Sequence, residues 1–179
     1  MVLELRTVPY DHPDVERLVR GVQAEYVQRY GGEDATPVEP GEFARPRGAF
    51  VVGYVDGGPV ACGGWRARDA LHGDGALRDG DAEIKRMFVP AGHRGRGFAR
   101  AVLAELERLA AAVGRRRAVL ETGTRQPEAI ALYASAGYTP VEPFGVYRDA
   151  PGCRCFAKHL ASTARAGGSY HASSENRLP

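Results

Sequence analysis

The sequence predicts a mixed α/β domain in which helices cover both faces of a sheet, and three patterns indicate it. Short runs rich in Val, Ile and aromatic residues recur along the chain between Gly-, Pro- or Asp-rich turns. Other segments carry apolar residues at steps of three and four, the spacing of amphipathic helices. The resulting order is strand, helix, loop, hairpin, strand, helix, strand, helix, strand, strand, which favours a mixed sheet between two helical layers.

The N-terminal segment predicts a strand followed by a helix. Residues 2–8 alternate well enough for a strand. An N-cap candidate, an early proline and a first-turn acid follow in the run Asp11-His12-Pro13-Asp14, which are the signals that open a helix. Apolar residues then recur on one helical face as far as Tyr26, so we expect the helix to run to about Tyr30.

A loop and a hairpin come next. Residues 31–47 are rich in Gly, Pro and acidic side chains, which predicts a loop with at most one short helix around residues 40–43. Such a long irregular insert is often a binding loop. Residues 49–55 and 60–66 are rich in β-formers, and Asp56-Gly57-Gly58-Pro59 between them is a strong hairpin signal.

Strands and helices alternate in the second half of the chain, after a Gly-rich loop at residues 67–80. We expect helices from Gly97 to Gly114 and over residues 127–136, and strands over residues 81–89, 118–120, 139–141 and 154–159. Residues 1–160 therefore form one predicted domain. From residue 161 the chain is rich in Ser, Gly and Ala without apolar periodicity, which predicts a flexible tail.

Composition excludes several classes of protein. With 44% hydrophobic and 26% charged residues, the chain has no apolar run of the roughly 18 residues that a membrane span needs. The first residues lack the layout of a secretory signal, so we expect a cytoplasmic protein. A formal net charge of +2 is far from the basic excess of a nucleic-acid-binding protein. Monomer and homodimer both stay open.

The cysteines and histidines suggest neither a disulfide framework nor a metal. Three cysteines are an odd set in a chain large enough to have its own core. Cys153 and Cys155 lie one residue apart, but no second Cys or His pair at zinc-ligand spacing accompanies them. We therefore expect ordinary thiols on a strand and no bound metal.

The run from His93 to Ala99 has the features of an anion site. It follows a predicted strand and opens a predicted helix, so its N–H groups lie at the positive end of the helix dipole. Gly95 and Gly97 permit close backbone approach, and Arg94 and Arg96 add charge suited to a pyrophosphate. An Arg-Gly pair can also simply shape a turn. No Gly-Lys-Ser/Thr follows, and the full dinucleotide fingerprint is absent.

Three motifs resemble the GNAT superfamily of N-acetyltransferases. The run from Arg94 to Ala99 matches its Arg/Gln-x-x-Gly-x-Gly/Ala signature. The preceding strand, Glu83-Ile-Lys-Arg-Met-Phe-Val-Pro, is similar to the family's fourth strand. Gln126-Pro-Glu-Ala-Ile-Ala-Leu-Tyr-Ala-Ser-Ala-Gly-Tyr is similar to its closing helix and turn, with Gln126 where Asn is commonest. The close resemblance spans residues 83–138, and the order of elements agrees more loosely.

The resemblance implies a fold and a co-substrate. The fold is a mostly antiparallel sheet of six to seven strands, in which the strand holding Met87 and the strand near Leu120 splay apart around acetyl-CoA. Pantetheine would pair with the backbone of Phe88 and Val89, and the pyrophosphate would lie on the amides of residues 95–99. The cofactor-binding residues expected on this basis are Phe88, Val89, Arg94, Gly95, Arg96, Gly97, Phe98, Ala99, Gln126 and Tyr133.

The resemblance also implies roles in acetyl transfer, which needs a neutral amine, a polarised carbonyl and a proton for the departing thiolate. Tyr133 would give that proton, although periodicity alone indicates only a half-buried helix residue. The N–H of Met87 would polarise the thioester. Glu83 would be the general base. The alternative is that Glu83 is a strand-end glutamate that is merely solvated or is paired to Lys85 or Arg86, and that a chain of water molecules accepts the amine proton.

The acceptor is expected to be an amine, with a small amine or amino acid favoured over a protein lysine or N-terminus. We expect it to be recognised by residues 30–47, 67–80 and 144–152. The acidic residues Glu33, Asp34 and Glu39 would suit a cationic amine. The basic residues Arg66, Arg68 and Arg148, in or next to these segments, would equally suit a carboxylate. Two other hypotheses for the function are a non-catalytic module that binds coenzyme A and an Arg-Gly loop protein that binds RNA. The near-neutral net charge disfavours the RNA-binding hypothesis. Cys155 has no base linked to it in the sequence, so we expect direct transfer and no acyl-enzyme.

Overall fold

The computed structural model describes residues 2–69 and 74–161, and the predicted tail (residues 161–179) lies outside them except for its first residue. The strands in this part of the chain are β1 (Glu4–Val8), β2 (Gly48–Val55), β3 (Gly58–Arg68), β4 (Asp81–Phe88), β5 (Arg117–Gly123), β6 (Thr139–Val141) and β7 (Cys153–His159). The helices are α1 (Pro13–Tyr30), α2 (Phe98–Ala112) and α3 (Pro127–Ser135), with short 3₁₀ turns at Pro40–Phe43 and Ala91–His93.

One seven-stranded sheet has the order β1-β2-β3-β4-β5-β7-β6. Its described neighbours pair antiparallel except β4 and β5, which are parallel and joined by the crossover through α2. A parallel pair needs such a crossover, whereas antiparallel neighbours can be joined by a turn. The predicted mixed, mostly antiparallel sheet is therefore confirmed.

The helix boundaries follow local sequence signals. His12 is the N-cap of α1 and accepts a hydrogen bond from the N–H of Asp14, and Gly31 ends the helix with a φ of 82°. Gly97 lies immediately before α2 with a φ of 79°. These are the residues at which the sequence predicted helix boundaries, because capping side chains and left-handed glycines compete with helix continuation.

Two apolar layers lie on opposite faces of the sheet. The larger cluster lies between α2 and the sheet, and it includes Val102 and Leu106 of α2 and Trp65 and Ile84 of the sheet. Against α1 pack a second cluster that includes Leu18, Phe50 and Val52. Within β2, Val51 belongs to the α2 layer and its neighbours Phe50 and Val52 to the α1 layer, as the period of two in a strand requires. Helices therefore cover both faces, as predicted.

Two elements, β3 and β5, differ most from the predicted boundaries. The hairpin turn consists of Asp56 and Gly57 alone, which both have positive φ, so β3 begins at Gly58 and includes Pro59. This is the geometry of a two-residue primed turn, whose twist matches that of the strands. β5 runs to Gly123 and not to Leu120, because β7 pairs with Glu121, Thr122 and Gly123 where apolar character has ended.

Candidate active site

A cleft opens where β4 and β5 separate. The two strands pair only over residues 81–83 and 117–119, although they continue to Phe88 and Gly123. The cleft between their diverging ends has a volume of about 1250 Å³. Residues from both strands, from α1, from the start of α2 and from α3 line it. It therefore reaches both layers of the fold at the point where the sheet divides.

The start of α2 forms one end of the cleft. Gly95 and Gly97 both line it, with φ values of 74° and 79° in the left-handed region that favours glycine. A Cβ added at either position would meet no protein atom within 4 Å. The N–H groups at the beginning of a helix carry partial positive charge, so this end of the cleft suits an anion.

The two arginines of this segment differ in placement. Arg94 lines the cleft, where its Nε donates to the carbonyl of Val89 at 2.9 Å and its Nη2 pairs with the carboxylate of Glu25. Arg96 is not among the cleft-lining residues, and its Nη2 donates to the carbonyl of Gly92 at 3.4 Å. Of the two, Arg94 is the one placed to add positive charge to the cleft.

Tyr133 lies on the inner face of α3. It lines the cleft and is 6% exposed, with its ring 5.8 Å from that of Tyr138. Burial raises the pKa of the Tyr133 phenol above its ordinary value. The phenol therefore stays protonated at neutral pH, which is the state a proton donor needs.

Gln126 lies where α3 meets α1 across the cleft. Its Nε2 donates to the hydroxyl of Tyr30 at 3.3 Å. Beside it, the guanidinium of Arg29 pairs with the carboxylates of Glu25 and Glu128. These contacts join the last turn of α1 to the first turn of α3, and the hydrogen bond from Gln126 to Tyr30 is one of them.

A bulge in β4 changes which way its side chains face. β3 pairs Cys62 with Phe88 and Gly64 with Lys85, so β4 has one residue more than its partner in this interval, and Arg86 has a φ of 58°. Lys85 and Arg86 consequently both reach the loop after α1, Met87 packs with the α2 layer and Phe88 with the α1 layer. Positive φ is uncommon for a non-glycine residue, and bulges of this kind recur beside active sites.

A chain of buried charges crosses the sheet beneath the cleft. Nε of Arg66 donates to Glu83 at 2.8 Å, and Nζ of Lys85 lies 3.6 Å from Glu83 and 3.1 Å from Glu121. Lys85, Arg86 and Glu121 line the cleft, whereas Arg66 and Glu83 do not. Lys85 therefore links the buried carboxylate of Glu83, which does not line the cleft, to the carboxylate of Glu121, which does.

Asp34 joins this network from the loop after α1. Its carboxylate accepts from Nη1 of Arg86 at 2.9 Å and from the N–H of Thr36 at 2.9 Å. Burial opposes ionisation of Asp34, but Lys85, Thr36 and Arg86 together hold its pKa below the usual range. Asp34 is consequently a fixed negative charge on the wall of the cleft.

The cleft collects most of the residues singled out in the sequence. Those that line it are Met87, Phe88, Val89, Arg94, Gly95, Gly97, Phe98, Ala99, Gln126 and Tyr133. Arg96 and Glu83 do not. Glu83 is 3% exposed and is held by Arg66 and Lys85, an arrangement close to the structural alternative considered for it. If Glu83 were the base, a proton from the cleft would have to pass Lys85 to reach its carboxylate.

Two of the three segments expected to meet the acceptor contribute to the cleft. Residues 32–34 line it on one side, and Tyr147, Ala150 and Gly152 line it on another. None of the described residues of the segment 67–80 does so. Arg66 and Arg68, suggested for a carboxylate, are paired instead with Glu83 and Asp74.

Sequence reasoning missed Glu121, which lines the cleft with a side chain 10% exposed. The sequence signal that could have identified it is a lone carboxylate directly after the apolar residues 118–120 of β5. Lys85 was considered only as a partner of Glu83.

The thiols of β7 lie next to Glu121. Sγ of Cys153 and Sγ of Cys155 are 3.8 Å apart, and both thiols are free. Together with a carboxylate oxygen of Glu121 they form the one group in the described chain whose atoms, all within 4.8 Å of one another, could hold a metal ion. Lys85 competes with any cation for that carboxylate. Burial raises the pKa of both thiols, which opposes the thiolate form that a metal binds.

Among the described residues, none of the helices has the length and apolar character to cross a membrane. 

Comparison with known proteins gives concordant matches. Residues 15–138 match the model of the acetyltransferase (GNAT) family. A protein of Azospirillum brasilense named IAA acetyltransferase is 35% identical over 133 residues, which are 71% of this chain and 81% of that protein. Among solved structures, a GNAT-family acetyltransferase of Staphylococcus aureus Mu50 superposes with a TM-score of 0.66 at 12% identity, covering 89% of this chain and all of that one. PaiA N-acetyltransferase of Thermoplasma acidophilum, solved with coenzyme A, has a TM-score of 0.63 at 13% identity, with 89% and 99% of the two chains covered.

Proposed function

The chain belongs to the acetyltransferase (GNAT) family of N-acetyltransferases, and on this premise we propose that it moves the acetyl group of acetyl-CoA directly to the amine of a small acceptor. The observation that carries the proposal is the cleft at the division of β4 and β5. It combines an anion-binding helix start, an unpaired stretch of strand and a protonated tyrosine in one cavity.

We assign the cofactor to the side of the cleft that holds α2 and α3. Its pyrophosphate would lie on the main-chain amides of residues 95–99, with Arg94 beside them. Its pantetheine arm would pair with Phe88 and Val89, since the edge of β4 that faces β5 has no strand partner beyond Glu83 in the described part of the chain. These contacts would bring the thioester to Met87 and Tyr133.

Acetyl transfer then needs three groups around the thioester. The N–H of Met87 would donate to the carbonyl oxygen as negative charge develops there. The amine would attack the carbonyl carbon, and Tyr133 would protonate the sulfur as the carbon–sulfur bond breaks. A direct base role for Glu83 is disfavoured by its burial and its pairing with Arg66.

A small acceptor is favoured over a protein. The two loops that line the acceptor side are joined, because the N–H of Ala35 donates to the hydroxyl of Tyr147 at 2.6 Å. We infer that this contact between the two loops restricts access for a folded protein or a long peptide more than for a small amine or amino acid.

The test has two stages. Calorimetry with acetyl-CoA and with coenzyme A measures cofactor binding. Release of thiol is then followed with an acceptor panel that contains ethanolamine, L-lysine, spermidine, tryptamine, a lysine-containing peptide, and IAA because the relative carries that name. Binding of acetyl-CoA without thiol release with any acceptor would contradict acetyl transfer to the compounds of this panel, and release with the peptide alone would favour a protein acceptor.

A further inference from the structure

Three side chains that can ligate a metal lie on one face of the sheet beside the cleft. Cys153 and Cys155 are two residues apart on β7, so their side chains share a face. Glu121 of β5 is the register partner of Cys155, and its side chain therefore lies on the same face. β7 also pairs with β6, where Val141 lies opposite Cys155. Strand pairing on both sides of β7 thus fixes the backbone positions of these residues.

The distances between the ligand atoms agree with one shared cation. Two sulfurs that each lie about 2.3 Å from a tetrahedral Zn²⁺ are about 3.8 Å apart. Sγ of Cys153 and Sγ of Cys155 are 3.8 Å apart. A carboxylate oxygen of Glu121 completes the group, and all three ligand atoms lie within 4.8 Å of one another. Thiolates and carboxylates are both ordinary ligands of zinc.

The carboxylate of Glu121 gives an independent indication of a ligand. Its side chain is 10% exposed, and Oε1 accepts from Nζ of Lys85 at 3.1 Å. Oε2 is buried and has no hydrogen-bond partner among the described residues. An unsatisfied buried oxygen costs roughly 1–3 kcal/mol, and more when it is charged, so it calls for an explanation. A bound cation would satisfy this carboxylate.

We propose that Glu121, Cys153 and Cys155 bind a thiophilic divalent cation such as Zn²⁺, and that the bound ion blocks the side of the cleft assigned to the acceptor. Glu121 and Cys153 line the cleft, so the ion would enter from it. Three protein ligands would leave the fourth position of a tetrahedral ion open. The binding site stands apart from the proposed function, and the inhibition rests on it.

Binding exchanges two protons for one cation. The two S–H bonds break, their protons pass to solvent, and two sulfur–metal bonds form. The ionised carboxylate of Glu121 supplies the third ligand. The two positive charges of the ion replace those of the two protons, so the total charge of the site stays the same. Sulfur keeps its oxidation state, and the step needs no oxidant.

Two features decide which cations the site accepts. Burial raises the pKa of both thiols, to about 12 for Cys155, and Lys85 holds Oε1 of Glu121. Mg²⁺ and Ca²⁺ prefer oxygen ligands, so they would not displace the thiol protons. Zn²⁺ binds thiolates well and releases protons from its ligands as it binds. The site should therefore discriminate strongly between thiophilic and oxygen-preferring ions.

Calorimetric titration of the full chain with Zn²⁺, with the thiols kept reduced by a phosphine, tests the site. The tightest binding should involve one Zn²⁺ per chain, and Mg²⁺ should not bind there. Cys153→Ser and Cys155→Ser should each weaken this binding at least about 100-fold, since loss of an outer partner of a metal site alone costs up to that factor. Cys62→Ser is the matched control, because Cys62 is a free thiol of β3 that does not line the cleft.

Two further measurements separate metal binding from a structural effect of the variants. Cd²⁺ added to the wild type should produce the ultraviolet absorption of a cadmium–thiolate bond, and Cys153→Ser should lose most of it. Lys85→Gln should bind Zn²⁺ about 10-fold more tightly, because the cation that competes for Glu121 is gone. Thermal melting without metal identifies any variant that does not fold.

The inhibition is measured with the panel acceptor that the wild type acetylates fastest. Zn²⁺ should lower the rate of thiol release in the wild type and in Cys62→Ser, and much less in Cys153→Ser. Unchanged Zn²⁺ affinity in both Cys153→Ser and Cys155→Ser would overturn the site. Tight binding with an undiminished rate would overturn the blocking of the acceptor. If the wild type releases no thiol with any acceptor, the proposed function and the inhibition fall, and the calorimetry still decides the site.

Discussion

Arg117 and Asp81 hold the two diverging strands together below the cleft. Nε of Arg117 donates to Oδ1 of Asp81 at 2.8 Å and Nη2 to Oδ2 at 2.6 Å, between residues that lie opposite each other in the β4–β5 register. Both side chains are buried. This bidentate pair lies next to the closed end of the cleft, where β4 and β5 are still joined by backbone hydrogen bonds.

Asp81→Asn should destabilise the fold by about 3–5 kcal/mol, because it leaves the guanidinium of Arg117 buried without a countercharge. Urea unfolding followed by circular dichroism measures the change. Glu105→Gln is the matched control, since it removes a partly exposed pair with Arg108 on α2 and should cost less than about 1 kcal/mol. Equal stability losses in the two variants would show that the Arg117 pair has no special structural role.

Gly97→Val should abolish acetyl-CoA binding while the fold persists. Valine is strained at the left-handed φ of 79°, and relief of that strain would redirect the amides at the start of α2. Calorimetry measures the affinity. Gly114→Val introduces the same strain at a φ of 87° beyond the other end of α2, outside the cleft, and should bind acetyl-CoA normally. Unchanged affinity in Gly97→Val would rule out the assigned pyrophosphate site.

Tyr133→Phe should lower kcat roughly 10²- to 10⁴-fold with acetyl-CoA affinity preserved, as expected when a general acid is removed. The ring and its packing remain, so only the proton donor is lost. Tyr138→Phe is the control, since Tyr138 is also a buried tyrosine, packs against Tyr133 and does not line the cleft. A full rate in Tyr133→Phe would mean that another group protonates the thiolate.

Cys155→Ala should retain turnover, because we expect direct transfer without an acyl-enzyme. Burial raises the pKa of the Cys155 thiol to about 12, so almost none of it is the nucleophilic thiolate at neutral pH. Steady-state kinetics with both substrates varied gives the check. Parallel double-reciprocal lines in the wild type, together with an inactive Cys155→Ala variant, would instead indicate a covalent intermediate.

Removal of residues 162–179 should change the melting temperature by no more than a few degrees, because their composition lacks the apolar pattern that offsets the entropy of ordering. A second truncation that also removes Leu160 should be less stable. The N–H of Leu160 donates to the carbonyl of Arg116 at 2.9 Å, and its side chain packs against the α2 layer. A large fall in the first truncation would show that the tail docks on the domain.

The fold and the start of α2 were accessible from the sequence because their signals are local. The hairpin turn at Asp56 and the glycines at positions 31, 97 and 114 each act on their immediate neighbours, and the predicted anion site, residues 93–99, is contiguous in the chain. Tyr133, which lines the cleft and whose role in proton transfer stays a prediction, was singled out through a motif on a single helix. In each case the residues that cooperate are less than about two helical turns apart.

The charged end of the cleft was not accessible in this way. Lys85 meets Glu121 only because β4 and β5 are neighbours, although 36 residues separate them. The bulge also hides the pattern, since strict alternation would put Lys85 and Met87 on one face, whereas the extra residue puts Lys85 beside Arg86. For Glu83, sequence could not show that Arg66 of the adjacent strand would take up its carboxylate.

The two ends of the cleft present different kinds of chemical group. The end at α2 relies on main-chain groups and glycines, whereas the other end relies on charged side chains from three separate parts of the chain: β4, β5 and the loop after α1. Substitutions at the second end can alter what is recognised without rewriting the main chain at the first. A lineage with this construction can exchange one acceptor for another over evolutionary time while keeping its acetyl donor, and the same freedom is available to an engineer.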